Sequence, residues 1–221
     1  MPVEMSSQLV DRLVFAAQVA KGRRVLDIGG RGMPPPPPET KLLGPDSFSL
    51  KKSDPNQSPF ARLYRQIGLG AKEHRILDMR NEPDVDYVLN LSERGCVEKL
   101  RAVLAEYRPE VILCMETLEH CNYHFEIMNE MARAVREYGT SVFITLPNNA
   151  NWILNFLGWN HDHCVAFFRD IAIRFVERSD LGQHRITLYP CFQQYLWYWW
   201  AAYALSFFQP FSWGFHIQPK I

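Results

Sequence analysis

The chain lacks an excess of charge of either sign: its 221 residues carry 24 Lys and Arg against 24 Asp and Glu. A sequence-blind nucleic-acid binder needs a basic surplus to neutralise phosphates, so that class is disfavoured and no nucleic-acid partner is expected. Cysteine is sparse. Cys96, Cys114, Cys121, Cys164 and Cys191 are odd in number and form no CxxC pair. A disulfide framework is therefore not expected, and a reducing, cytoplasmic setting is. No uninterrupted apolar run reaches the ~20 residues of a spanning helix, and no basic segment precedes the first apolar stretch as in a secretory signal. The N-terminal segment is expected instead to form an amphipathic helix capped by Ser6 or Ser7, with Leu9, Leu13, Ala16, Ala17 and Ala20 on one face. Charge is also missing locally, because no Asp, Glu, Lys or Arg occurs from Ile186 to Pro219. All six Trp lie after residue 150, in a chain that is 47% hydrophobic and 13% aromatic. Disorder is excluded by that composition, and one domain spanning 1–221 is expected.

What is present alternates between short apolar strands and helices. Arg24-Val25-Leu26-Asp27-Ile28 reads as a strand ended by Gly29-Gly30-Arg31-Gly32. Five prolines follow, Pro34 to Pro38, and residues 33–58 read as a Pro-rich loop or insertion, since proline lacks an N–H and fixes φ. A helix is expected to resume at Pro59, with Ser58 as its cap. Arg75–Met79, Val85–Leu91, Val111–Met115, Ser141–Leu146 and Ile186–Tyr189 are expected strands. Helices are expected from Ser92 to Tyr107, from Asn122 to Tyr138 with Gly139 closing it, and over 165–178. The pattern predicts an α/β fold, a mostly parallel Rossmann-like sheet flanked by helices, with 186–221 as an aromatic C-terminal extension.

In such a sheet, ligands bind at the C-terminal ends of the strands, where strand order switches. Three strand ends carry suitable groups: Asp27 with its glycine loop, Asp78, and Cys114-Met115-Glu116. The nicotinamide fingerprint GxGxxG is broken after Gly32, and no GxxxxGK[ST] phosphate loop occurs, which argues against a nicotinamide oxidoreductase and a P-loop enzyme.

Taken in order, these segments resemble the class I S-adenosylmethionine-dependent methyltransferases from about Arg23 to Gly182. Val25-Leu26-Asp27-Ile28-Gly29 looks like their first motif. Glu110 to His120, ending Leu118-Glu119-His120, is similar to the segment after their fourth strand. Glu126 to Gly139 and Val142 to Asn148 look like the next helix and strand. His161-Asp162-His163 through Phe168 resembles a late segment of the branch that includes ubiquinone-biosynthesis and sugar-pathway methyltransferases. The resemblance implies S-adenosyl-L-methionine as cofactor and a small-molecule acceptor, hydrophobic or a sugar derivative, methylated at oxygen. It also implies that Asp27, Gly29, Gly30 and Arg31 shape the pocket for the methionine part. Asp78 would take the ribose hydroxyls with Met79 against the adenine, Asn90 and Leu91 would stand at the adenine amine, and Cys114 and Met115 would line the cofactor. Arg31 stands at the usual second glycine, and the prolines replace the start of the usual first helix.

Methyl transfer to a hydroxyl releases a proton, and histidine titrates near neutrality. His120 is the first candidate base, followed by His163 and His161, with Glu116 and Glu119 as orienting carboxylates. A zinc set from His120, Cys121, His124, His161, His163 and Cys164 meets no recognised ligand spacing, so no metal is expected. The run Tyr195–Phe208 is expected to be a core element or dimer contact. The functional alternatives are a hydrophobic acceptor pocket or a peripheral membrane contact through residues 195–215. A second reading of the whole chain is a non-catalytic scaffold or interaction protein that keeps the fold.

Overall fold

A computed structural model describes residues 3–30, 70–151, 167–192 and 210–220. The prolines of 33–58, the helix expected at Pro59, Arg31, His161, His163 and the run 195–208 lie outside these residues. The described strands are β1 (Glu4–Met5), β2 (Val10–Asp11), β3 (Arg24–Ile28), β4 (Glu73–Asp78), β5 (Tyr87–Val88), β6 (Val111–Met115), β7 (Ser141–Pro147), β8 (Arg185–Phe192) and β9 (Ser212–Gln218). They form one sheet in the order β1-β8-β9-β7-β6-β3-β4-β5, and β2 also pairs with β8. From β7 to β5 every pair is parallel, and β9 runs antiparallel to both β7 and β8. The chain therefore steps outward from β3 to β4 and β5, then returns to the other side of β3 for β6 and β7. That reversal is a switch in strand order between β3 and β6, the place where open α/β sheets bind their ligands.

Helices α1 (Arg12–Ala20), α2 (Cys96–Tyr107), α3 (His124–Tyr138) and α4 (Arg169–Arg178) cover the sheet. On one face Leu26, Ile28, Leu77, Ile112, Cys114 and Ile144 pack against α2, α3 and α4. On the other, Val25, Val111, Leu113, Met115 and Phe143 pack against Leu13, Ala16, Val19 and Ala20 of α1. Strands buried on both faces are apolar throughout, which is why the sequence shows runs rather than alternation.

Helix starts differ from the sequence reading because side chains nearby make other bonds. α1 begins at Arg12, and its cap is Asp11, whose carboxylate accepts from Leu13 N at 2.9 Å and Val14 N at 3.0 Å. Ser6 is occupied elsewhere: its N–H donates to Leu188 O, and its hydroxyl oxygen accepts from Gln8 N. Ser92 does not cap α2, which starts after Gly95. The Ser92 N–H donates to Asn90 Oδ1 and its hydroxyl to His120 O. α3 starts at His124, not Asn122, and closes on Gly139 at φ 68° as expected. α4 starts at Arg169, and Phe168 and Ile171 are half exposed. The strand expected over Val85–Leu91 shrinks to two residues. The Asp86 carboxylate accepts from Ile76 N at 2.8 Å, and Asn90 turns the chain at the far end.

The last strand was not anticipated. β9 inserts between β7 and β8, so Phe211, Trp213, Phe215 and Ile217 are buried and charge has no place there. Gly214 is fixed by packing, since a Cβ would stand 2.6 Å from Cys191 Sγ and 3.0 Å from Phe143 Cε2. Thus 186–192 and 212–218 of the charge-free segment are strands of the sheet, while 193–209 lies outside the described residues. On its other edge β8 is covered by β1 and β2, and Pro190 falls between the two bridges, where no N–H is demanded of it. Among the described residues no helix is long and apolar enough to cross a membrane. Cys96, Cys114, Cys121 and Cys191 are buried free thiols.

Candidate functional site

Asp27 is the next-to-last residue of β3, and its carboxyl is fully buried with neither oxygen hydrogen-bonded. His74 on β4 brings Nε2 to 3.5 Å from Asp27 Oδ2. Burial pushes the Asp27 carboxyl up from the usual range; His74 opposes this and the nearby Asp78 carboxylate adds to it. Asp27 and Asp78 thus end neighbouring parallel strands as a pair of acids close enough to feel each other. His74 escaped the sequence reading. The available signal was its alternation on the strand with Ile76 and Asp78, which puts all three on the Asp27 face.

The glycine loop above Asp27 is tightly set. Gly29 adopts φ 76°, and a Cβ there would collide with the side chain of Thr117. At Gly30 a Cβ would lie 2.9 Å from Asp27 Oδ2. Only glycine fits either position. Thr117 stitches the loops after β3 and β6, its hydroxyl lying 3.2 Å from Ile28 O and 3.0 Å from Met115 O.

The loop after β6 carries an ion pair. Glu116 Oε1 lies 2.8 Å from Arg12 Nη1 and accepts from Thr145 Oγ1 at 2.9 Å. Its backbone N–H donates to Thr145 O at 3.1 Å. Glu116 itself is left-handed at φ 50°, a conformation that costs a side-chain-bearing residue roughly 1–2 kcal/mol. Glu119 follows on the 3-10 turn Leu118–His120, fully buried, with neither carboxyl oxygen hydrogen-bonded. Burial holds it well above the usual carboxylate range; Glu116 adds to the rise and Arg12 opposes it. Arg12, far from every motif in sequence, was not anticipated here.

The remaining candidates separate. Asp78 is buried, and its Oδ1 accepts from Arg80 N at 3.0 Å. Met79 is 64% exposed beside it, free to lie against a flat ligand. Asn90 is turned into its own loop: its Oδ1 accepts from Ser92 N and its Nδ2 donates to Glu93. Leu91 is in the core. Cys114 and Met115 are buried in the cores on opposite faces of the sheet, so their side chains serve packing and only the backbone faces the strand end. His120 is exposed on the turn after β6 and its carbonyl is held by Ser92. His124 points elsewhere, with Nδ1 3.1 Å from Cys121 O and its ring against Phe125 and Phe175. Among the described residues no three His, Cys, Asp or Glu side chains are grouped to hold a metal ion.

No protein-family model matches the sequence, and no curated protein does. Solved structures do. The chain is similar to one from the complex between the Haloferax volcanii Trm112 methyltransferase activator and a presumed methyltransferase. There the TM-score is 0.50 at 10% identity, covering 95% of this chain and 89% of that one. A presumed methyltransferase from Bacillus halodurans C-125 gives a TM-score of 0.40 at 11% identity, over 76% of this chain and 67% of that one. The small RNA methyltransferase HEN1 gives 0.46 at 12% identity, over 95% of this chain and 25% of that one. The likeness to the chain of the Haloferax volcanii complex is one of fold alone: a mostly parallel, Rossmann-like α/β sheet flanked by helices.

Proposed function

We propose that the chain is an S-adenosylmethionine-dependent methyltransferase of class I that methylates a small-molecule acceptor at oxygen. The observation that carries this reading is the pair Asp27 and Asp78 at the ends of adjacent strands beside the switch point, Asp27 with a fully buried carboxyl that accepts no hydrogen bond and faces His74 Nε2 at 3.5 Å. A buried acceptor without a donor is costly unless a ligand supplies one. S-adenosylmethionine supplies an ammonium, a ribose diol and a methyl group already activated on a sulfonium. Asp27 would accept from the ammonium, Asp78 would bind the diol, and Met79 would cover the adenine. Glycine at 29 and 30 lets the loop close onto Thr117 and Asp27. Thr117 and the Glu116 loop form the opposite wall.

The acceptor is then held against this wall, where alignment and exclusion of water set the rate. His120, exposed on the turn after β6, is the group offered for the released proton, with His161 and His163 outside the described residues. The balanced 24 against 24 charge supports a small hydrophobic or sugar-like acceptor over nucleic acid, and the buried free thiols suit a cytoplasmic setting. A membrane or dimer contact through 195–215 would fall to 195–209, since 210–215 are buried.

The test is calorimetric titration with S-adenosylhomocysteine. The wild-type chain binds, and Asp78→Ala binds about 10- to 100-fold more weakly while keeping its melting transition, because the diol loses its acceptor. No binding by the wild type refutes the reading.

A further inference from the structure

The N-terminal segment does more than cover a sheet edge. β1 and β2 are short parallel bridges on β8, fixed by Ser6 N donating to Leu188 O at 2.8 Å. They deliver Asp11 to cap α1, and the cap sets Arg12 as the first helical residue. From there the Arg12 side chain, 6% exposed, reaches Glu116 at 2.8 Å. Among the described residues only Arg108 and Glu116 are non-glycine with positive φ. Arg108 closes α2, where that conformation is common. Glu116 ends no helix. Its conformation is held by contacts instead: Arg12 on one carboxylate oxygen, Thr145 on the same oxygen, and the Thr145 carbonyl on its N–H. The next residue is Thr117, which bonds Ile28 O and fills the space over Gly29. An unbroken chain of contacts thus runs from Arg12 through Glu116 and Thr117 to the glycine loop.

We infer that Arg12 is a positioning residue for the binding site: it holds Glu116 in the left-handed conformation that sets Thr117 against Gly29. The N-terminal segment is then part of the ligand site, although it precedes every motif. Glu119 is buried beside Glu116, and Arg12 pairs with Glu116. The inference rests on the reading that this loop binds S-adenosylmethionine.

The experiment is titration of full-length wild type, Arg12→Met and the double variant Arg12→Met/Glu116→Gly with S-adenosylhomocysteine, each checked by circular dichroism to be folded at the titration temperature. Arg12→Met is expected to bind at least tenfold more weakly. The double variant is expected to return to within about threefold of wild type, because glycine takes the left-handed conformation without help and no carboxylate is left unpaired at 116. A folded Arg12→Met that binds like wild type, with only a lowered melting temperature, overturns the inference and leaves Arg12 a structural residue. So does a folded double variant that stays weak, and where Arg12→Met does not fold the double variant alone decides. Failure of wild type to bind refutes the cofactor reading, and the inference with it.

Discussion

Glu119→Gln is expected to stabilise the protein as pH rises. Glu119 is fully buried with neither oxygen hydrogen-bonded, and burial together with Glu116 holds its carboxyl well above the usual range. In the unfolded chain a glutamate releases its proton near pH ~4.3. Below that both states are protonated, and Glu119 contributes nothing to pH dependence. Above it the unfolded chain loses the proton while the fold keeps it, so stability falls by about 1.4 kcal/mol per pH unit until the folded-state pKa is reached. Glutamine keeps the shape and removes the titration. Its amide leaves unpaired polar atoms as the acid did, but that offset does not vary with pH. The gap between variant and wild type therefore widens by up to about 2.7 kcal/mol from pH 5 to 7, or roughly 5–11 °C in Tm for a chain of this size. Urea unfolding at pH 5, 6 and 7, followed by circular dichroism, reads this directly. Parallel stability curves for the two proteins would refute the argument, because they would mean that Glu119 is ionised in the fold like any surface acid.

Two backbone positions give independent checks. Gly29→Ala must place a Cβ at φ 76° against Thr117. The combined conformational and packing cost is about 2–4 kcal/mol, seen as a lower urea midpoint and as loss of S-adenosylhomocysteine binding. Gly214→Ala pushes a methyl to 2.6 Å from Cys191 Sγ in the middle of the sheet. It should cost about 1–3 kcal/mol, and adding Cys191→Ala should recover part of that in thermal melts; an additive loss would show that Phe143, the other neighbour, decides the site.

Much of this protein is legible in its sequence wherever a local rule applies. Val111–Met115 is an apolar run between Pro109 and polar residues, and it is a strand with those bounds. Gly139 after Tyr138 closes a helix because a left-handed residue satisfies the last carbonyls. Asp27 and Asp78 stand at strand ends as expected, since each ends an apolar run before glycine or polar residues. Other features depend on partners distant in the chain. Ser92 looks like a helix cap and instead holds the His120 carbonyl, 28 residues away. Asn90 looks like an adenine contact and spends its amide on Ser92 and Glu93. The charge-free stretch after Ile186 looks like an appendage, and its last part is an interior strand.

Periodicity, caps and turn residues are properties of neighbours along the chain, so the alternation of strands and helices, the glycine loop and the two strand-end carboxylates follow from the sequence alone. Burial and pairing are properties of neighbours in space. Only the folded sheet decides that β9 slips antiparallel between β7 and β8, that His74 faces Asp27, and that Arg12 meets Glu116 while Glu119 is shut away beside them. Arg12 and Glu116, like Ile28 and Thr117, meet across long stretches of chain, and no local pattern records which of them touch.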